Sequence, residues 1–124
     1  MAKILVIEDD DSLGSLYQRV LGSIGHYVTV VPTGRDAIAA AETQKPDIVI
    51  LDFMLSGMKA TEVVDRLNRL GVLPDSPLVL SSAMAHSKLE SLARNLGANH
   101  ILPKPFDIKS LVALVRSLSP KATE

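Results

Sequence analysis

Pro46-Asp47-Ile48-Val49-Ile50-Leu51-Asp52 decides the architecture. Four consecutive large apolar residues, three of them β-branched, follow a proline–aspartate pair and stop at a carboxylate. A run with no polar alternation has no face to offer to water, so it reads as a short strand covered on both sides. Runs of the same largely β-branched kind recur at Ile4–Ile7, Val28–Val31, Leu78–Leu80 and Ile101–Leu102. Five buried strands of this length imply a parallel sheet, because only parallel sheets are routinely covered on both faces.

The stretches between these runs carry helical spacing. Leu13, Leu16, Tyr17, Val20, Leu21 and Ile24 recur at i, i+3, i+4, i+7, i+8 and i+11 and so share one helix face. Leu89, Leu92, Ala93 and Leu96 repeat the pattern before Gly97, a C-terminal cap, and Ile108, Leu111, Val112, Val115 and Leu118 repeat it after Asp107, an N-cap. Thr33–Thr43 and Thr61–Leu70 are the two remaining helices. Thr33 with Asp36 resembles a capping box, and Val63, Val64, Leu67 and Leu70 share a face.

Strict strand–helix alternation with short connections gives an α/β fold, a (βα)5 doubly wound parallel sheet. Its most economical strand order is the flavodoxin-like 2-1-3-4-5. The functional crevice of such a sheet lies outside the carboxyl ends of the strands, at the switch between the first and third. Glu8-Asp9-Asp10 ends the first strand, Asp52 the third and Ser81-Ser82 the fourth, and the fifth runs into Lys104-Pro105. All of these polar residues are expected on one edge.

Composition narrows the function classes. The chain has 124 residues, 47% hydrophobic and 22% charged, the balance of one globular domain. Thirteen Lys and Arg oppose fourteen Asp and Glu, with no basic stripe and no clustered aromatics, which argues against direct nucleic-acid binding. There is no cysteine, hence no disulfide and no thiolate metal site. No apolar run approaches membrane-spanning length, and the expected location is the cytoplasm.

Three carboxylates brought together repel one another, and a cation among them removes the conflict. Oxygen ligands with no histidine or cysteine nearby favour a hard ion, and Mg²⁺ suits a site with few carboxylates and retained waters. Asp52 is then placed to be a phosphoryl acceptor, Lys104 to hold one phosphoryl oxygen by charge, and Ser82 to hydrogen-bond another. Asp10 and Asp11 are read differently, as N-terminal charges that favour the helix following them.

With these residues in place, the chain from Lys3 to about Leu118 resembles the receiver domains of bacterial two-component response regulators. The resemblance is carried by Ile4-Leu5-Val6-Ile7-Glu8-Asp9-Asp10, the stretch ending at Asp52, Leu78-Val79-Leu80-Ser81-Ser82-Ala83, Gly97-Ala98 and Lys104-Pro105-Phe106. It implies that Asp9 and Asp52 ligate Mg²⁺ directly, that Glu8 acts mostly through water and that Met54 contributes its backbone carbonyl. It implies further that Asp52 takes phosphate from a histidine kinase or phosphotransfer protein, that Ser82 is the switch hydroxyl and that Lys104 contacts the phosphate. A cis Lys104-Pro105 bond would aim that lysine inward.

The chain departs from the family pattern at Ile101, where an aromatic residue is common, and at Pro103, where a small one is. It also has Ser56 and Ala60 where proline and glycine are usual. Residues 1–118 are read as the receiver domain and 119–124 as a polar tail or the start of a linker. The expected function is a phosphorylation-dependent signalling switch that alters binding of a downstream partner or output domain and assists its own phosphorylation without being a turnover enzyme. Coupling is expected through the helix from about Ser87 to Leu96, the fifth strand and the last helix. The alternative is a non-phosphorylated pseudo-receiver acting as an interaction module.

Overall fold

The apolar runs form strands and the periodic stretches form helices. In the computed structural model, which describes residues 1–55 and 57–119, the order is β1 (Lys3–Ile7), α1 (Asp11–Ser23), β2 (Tyr27–Val31), α2 (Gly34–Thr43), β3 (Ile48–Asp52), α3 (Ala60–Arg69), β4 (Leu78–Ser82), α4 (His86–Leu96), β5 (His100–Pro103) and α5 (Ile108–Leu118). The strands pair in parallel in the order β2-β1-β3-β4-β5. The (βα)5 sheet expected from the sequence is the one observed. Ser56 and residues 120–124, which carry one of the loop departures and most of the polar tail, lie outside the described residues.

Burial follows position in the sheet. β3 and β4 are buried at every residue, whereas the edge strand β2 is not fully buried anywhere. Successive side chains of a strand face opposite ways, and this divides the core into two layers. Ile4, Val6, Ile48, Ile50, Val79 and Leu102 pack with Tyr17 and Leu21 of α1 and Leu111 and Val115 of α5. Leu5, Ile7, Val49, Leu51, Leu78 and Leu80 pack on the other face with residues of α2, α3 and α4.

Local signals set the helix ends. Oδ1 of Asp10 accepts from the Leu13 N–H at 2.9 Å, Oγ1 of Thr33 from the Asp36 N–H at 3.0 Å and Oδ1 of Asp107 from the Ser110 N–H at 2.7 Å. Each satisfies an amide that the helix cannot. Gly97 closes α4 at φ 75°, the left-handed conformation that glycine adopts without a Cβ penalty. Ile24, Leu70 and Ile108, expected on buried faces, are 43%, 40% and 51% exposed. Ile24 and Leu70 are C-cap residues, where the chain leaves the layer, and Ile108 opens α5 beyond the sheet.

Candidate functional site

The alternation that sorts the core also aims the polar residues. Glu8 follows Val6 by two, Asp52 follows Ile50 and Ser81 follows Val79, so all three continue the α1/α5 face of the sheet at its carboxyl edge. Ser82 has the opposite parity, that of Leu78 and Leu80. Glu8, Asp52, Ser81 and Ser82 are buried at this end of the sheet, while Asp9 stands exposed on the rim.

Glu8, Asp9 and Asp52 each offer a carboxylate oxygen, and these oxygens lie within 4.8 Å of one another. Lys104 enters from the β5–α5 connection, with Nζ 2.8 Å from Oε1 of Glu8 and 3.3 Å from Oδ2 of Asp52. Its backbone N–H donates to the Ser82 carbonyl at 2.9 Å, which extends the β4–β5 ladder one residue past Pro103. Pro103 therefore does not displace the lysine. The Lys104-Pro105 bond is cis.

The electrostatics match this crowding. Burial pushes the Glu8 carboxyl above its usual value; the Lys104 and Asp10 N–H hydrogen bonds pull it back, and the Asp52 charge adds to the rise. For Lys104 burial works against the ammonium, but the Glu8 hydrogen bond and the two carboxylate charges outweigh it and raise the lysine. The lysine thus neutralises part of the carboxylate charge even before any metal binds.

Two residues sit differently from the central group. Ser82 Oγ accepts from the Met84 N–H at 3.2 Å, and no hydrogen bond joins it to Asp52 among the described residues. The Met54 N–H donates to Oδ1 of Asp52 at 3.1 Å, while its side chain is 63% exposed. Both residues are at the site, but their engaged groups here are backbone amides and the Asp52 and Ser82 oxygens. Phe106, two residues past Lys104, lies against the Tyr17 ring with centroids 5.6 Å apart. Tyr17 and Ser81 are not among the site residues expected from the sequence: one is a tyrosine in an apolar helix stripe, the other a serine near the end of a buried strand.

Residues 4–116 match the family model for the response regulator receiver domain. The chain belongs to that family. Its function is the family's, a phosphorylation-dependent switch in two-component signalling, and the reading of this receiver domain as a pure interaction module finds no support. The transcriptional regulatory protein TcrA of Mycobacterium tuberculosis is 37% identical over 117 residues, which cover 94% of this chain and 46% of TcrA. The receiver domain thus spans about half the length of the curated relatives it matches. Chemotaxis protein CheY4 of Vibrio cholerae superposes with a TM-score of 0.87 at 24% identity, covering 95% of this chain and 98% of that one.

The receiver domain of sensor histidine kinase PA1611 from Pseudomonas aeruginosa gives a TM-score of 0.84 at 24% identity, covering 94% of this chain and 96% of that one; its structure has a magnesium ion coordinated in the active site cleft. In the present receiver domain the three-carboxylate group is an all-oxygen set, which fits a hard divalent cation. No helix among the described residues is long and apolar enough to cross a membrane.

Proposed function

We propose that Asp52 is the phosphoryl acceptor of this receiver domain and that Glu8, Asp9, Asp52 and the Met54 carbonyl hold Mg²⁺ beside it. The observation that carries the reading is the Lys104 ammonium 3.3 Å from a buried Asp52 carboxylate with two further carboxylates alongside. The donor is a phosphohistidine of a kinase or phosphotransfer protein. An Asp52 oxygen forms the new O–P bond as the N–P bond breaks, and the imidazole leaves with the electron pair and takes up a proton. Mg²⁺, when bound, draws charge from the oxygens of the transferring group.

Lys104 turns from Glu8 to a phosphoryl oxygen, for which a fixed cation is a stronger partner than in water because the site is mostly buried. Ser82 exchanges the Met84 N–H for another phosphoryl oxygen. That exchange pulls on Met84 and hence on the start of α4, so the shift is read on α4, β5 and α5 by a downstream protein or output domain. Ile101, half-buried against the α2/α3/α4 layer, takes part as an aliphatic packing element. Residues 1–118 form the receiver unit and 119–124 a tail or linker start. The domain assists its own phosphorylation and hydrolysis without turning over an external substrate, in the cytoplasm, with no direct nucleic-acid or membrane contact.

The test is intact-mass measurement after incubation with acetyl phosphate and Mg²⁺. A gain of one phosphoryl group is expected in the native chain and none in Asp52→Asn. A native chain that stays unmodified while a known receiver control reacts overturns the reading.

A further inference from the structure

The hydroxyl of Tyr17 is the one buried side-chain polar atom with no hydrogen-bond partner among the described residues. Tyr17 is 1% exposed and lies in the α1/α5 layer, the layer continued upward by Glu8, Asp52 and Ser81. Glu8, Asp52 and Ser81 follow Val6, Ile50 and Val79, core partners of Tyr17, by two residues and so continue the same face of the sheet. The phenol is therefore part of the floor of the acidic site. Its ring meets Phe106 at a 40° tilt, next to the loop that delivers Lys104.

Ser81 lies on that same face of the sheet and has capacity to spare. Its Oγ donates to the Leu102 carbonyl at 2.7 Å, which uses its one proton and leaves lone pairs to accept. The Tyr17 hydroxyl, on the same face of the sheet, makes no hydrogen bond to it. A phenylalanine would keep the ring contact with Phe106 and leave no donor unpaired, so the oxygen is a net cost in this conformation. A displacement that brings Ser81 Oγ within hydrogen-bond reach of the phenol would remove the cost. Ser81 precedes Ser82 and pairs in register with Asp52, so motion of Ser82 toward a group on Asp52 carries Ser81 with it.

We infer that Tyr17 is a positioning residue of the phosphoryl site, its hydroxyl closing onto Ser81 Oγ in the phosphorylated arrangement. The chain of hydrogen bonds from Tyr17 through Ser81 to the Leu102 carbonyl then ties α1 to β4 and β5 directly beneath Asp52. This inference rests on the reading of Asp52 as the acceptor, and it adds an element on α1 to a switch otherwise described on β4 and α4.

The experiment compares beryllium fluoride binding, in the presence of Mg²⁺, by the native chain, Tyr17→Phe, Ser81→Ala and the double variant. The chain has no tryptophan, so binding is followed by NMR, with ring-labelled tyrosine reporting on Tyr17. The expected result is a shifted Tyr17 resonance in the native complex and an affinity about fivefold weaker in Tyr17→Phe. The unliganded Tyr17→Phe variant should be at least as resistant to urea as the native chain. In the double variant the loss should not exceed that of Ser81→Ala alone, since one hydrogen bond is removed only once.

A residue that merely fills the core would show unchanged affinity in Tyr17→Phe, and that result overturns the inference. So does a Tyr17→Phe loss that adds in full to the Ser81→Ala loss. A native chain that ignores beryllium fluoride overturns the acceptor reading and this one together, whereas a native response undiminished in Tyr17→Phe overturns this one alone.

Discussion

The Lys104 ammonium lies 2.8 Å from Oε1 of Glu8, a residue 96 positions away in the chain. It spans to Asp52 as well, so one cation stands against the carboxylates that end β1 and β3. A divalent ion on the same carboxylates would be repelled by this neighbour, whereas a phosphoryl group on Asp52 would be attracted by it.

Replacing Lys104 by glutamine therefore acts in opposite directions on two measurements. Mg²⁺ affinity by calorimetry should rise about threefold or more, because a positive charge has been removed beside the ion. The rate of phosphorylation by acetyl phosphate should fall about a hundredfold, the usual scale for losing a donor to a developing anion. A parallel loss of both would mean that the lysine only supports the fold.

Gly34 permits close approach of α2 and α3. A Cβ built there would stand 2.6 Å from Cγ2 of Val63 and 3.0 Å from Sδ of Met58. Gly34→Ala should lower unfolding stability by about 1–3 kcal/mol in urea melts, the range for overpacking. The displaced Met58 belongs to the connection after Asp52, so amide shifts should extend to Phe53 and Met54.

Thr33 caps the same helix through the Asp36 N–H. The structure records only this half of the capping box read from the sequence. Thr33→Ala should cost about 1 kcal/mol, measured by urea denaturation, with phosphorylation unchanged.

His26 makes the start of β1 sensitive to pH. Its Nδ1 accepts from the Ala2 N–H at 2.9 Å, and burial, then the N-terminal ammonium, hold the imidazole below its ordinary value of 6.5. The unfolded chain takes up the proton first. The contribution is thus present above about pH 6.5 and is lost as pH falls through the depressed folded value. Between about pH 8 and about pH 5.5, urea midpoints of the native chain should fall more than those of His26→Asn, which keeps an acceptor but does not titrate.

Much of this molecule was readable from the sequence, for reasons that particular residues make plain. Ile48–Leu51 and its counterparts are buried on both faces, and a strand in that position has few alternatives to an unbroken apolar run. Asp10, Asp107 and Gly97 act through neighbours three or four positions away, within reach of a linear pattern. Glu8, Asp9, Asp52 and Lys104 could be placed on one edge because strand order determines which ends meet.

What could not be read depends on side-chain direction. Lys104 turns to Glu8 because of the path of the β5–α5 loop. Ser82 engages Met84 because parity sends it to the face opposite Glu8, Asp52 and Ser81. Tyr17 fitted its helical stripe perfectly well, and its hydroxyl matters only through what lies above it. Ile24, Leu70 and Ile108 continue the apolar period past the point where the backbone remains against the sheet.

The opposed directions of Ser81 and Ser82 have a broader consequence. Adjacent residues at one strand end belong to different halves of the molecule, one looking toward α1 and α5, the other toward α3 and α4. A single shift of that strand end would therefore reach two surfaces on opposite sides of the sheet. Two listeners, neither touching the other, would hear the same event.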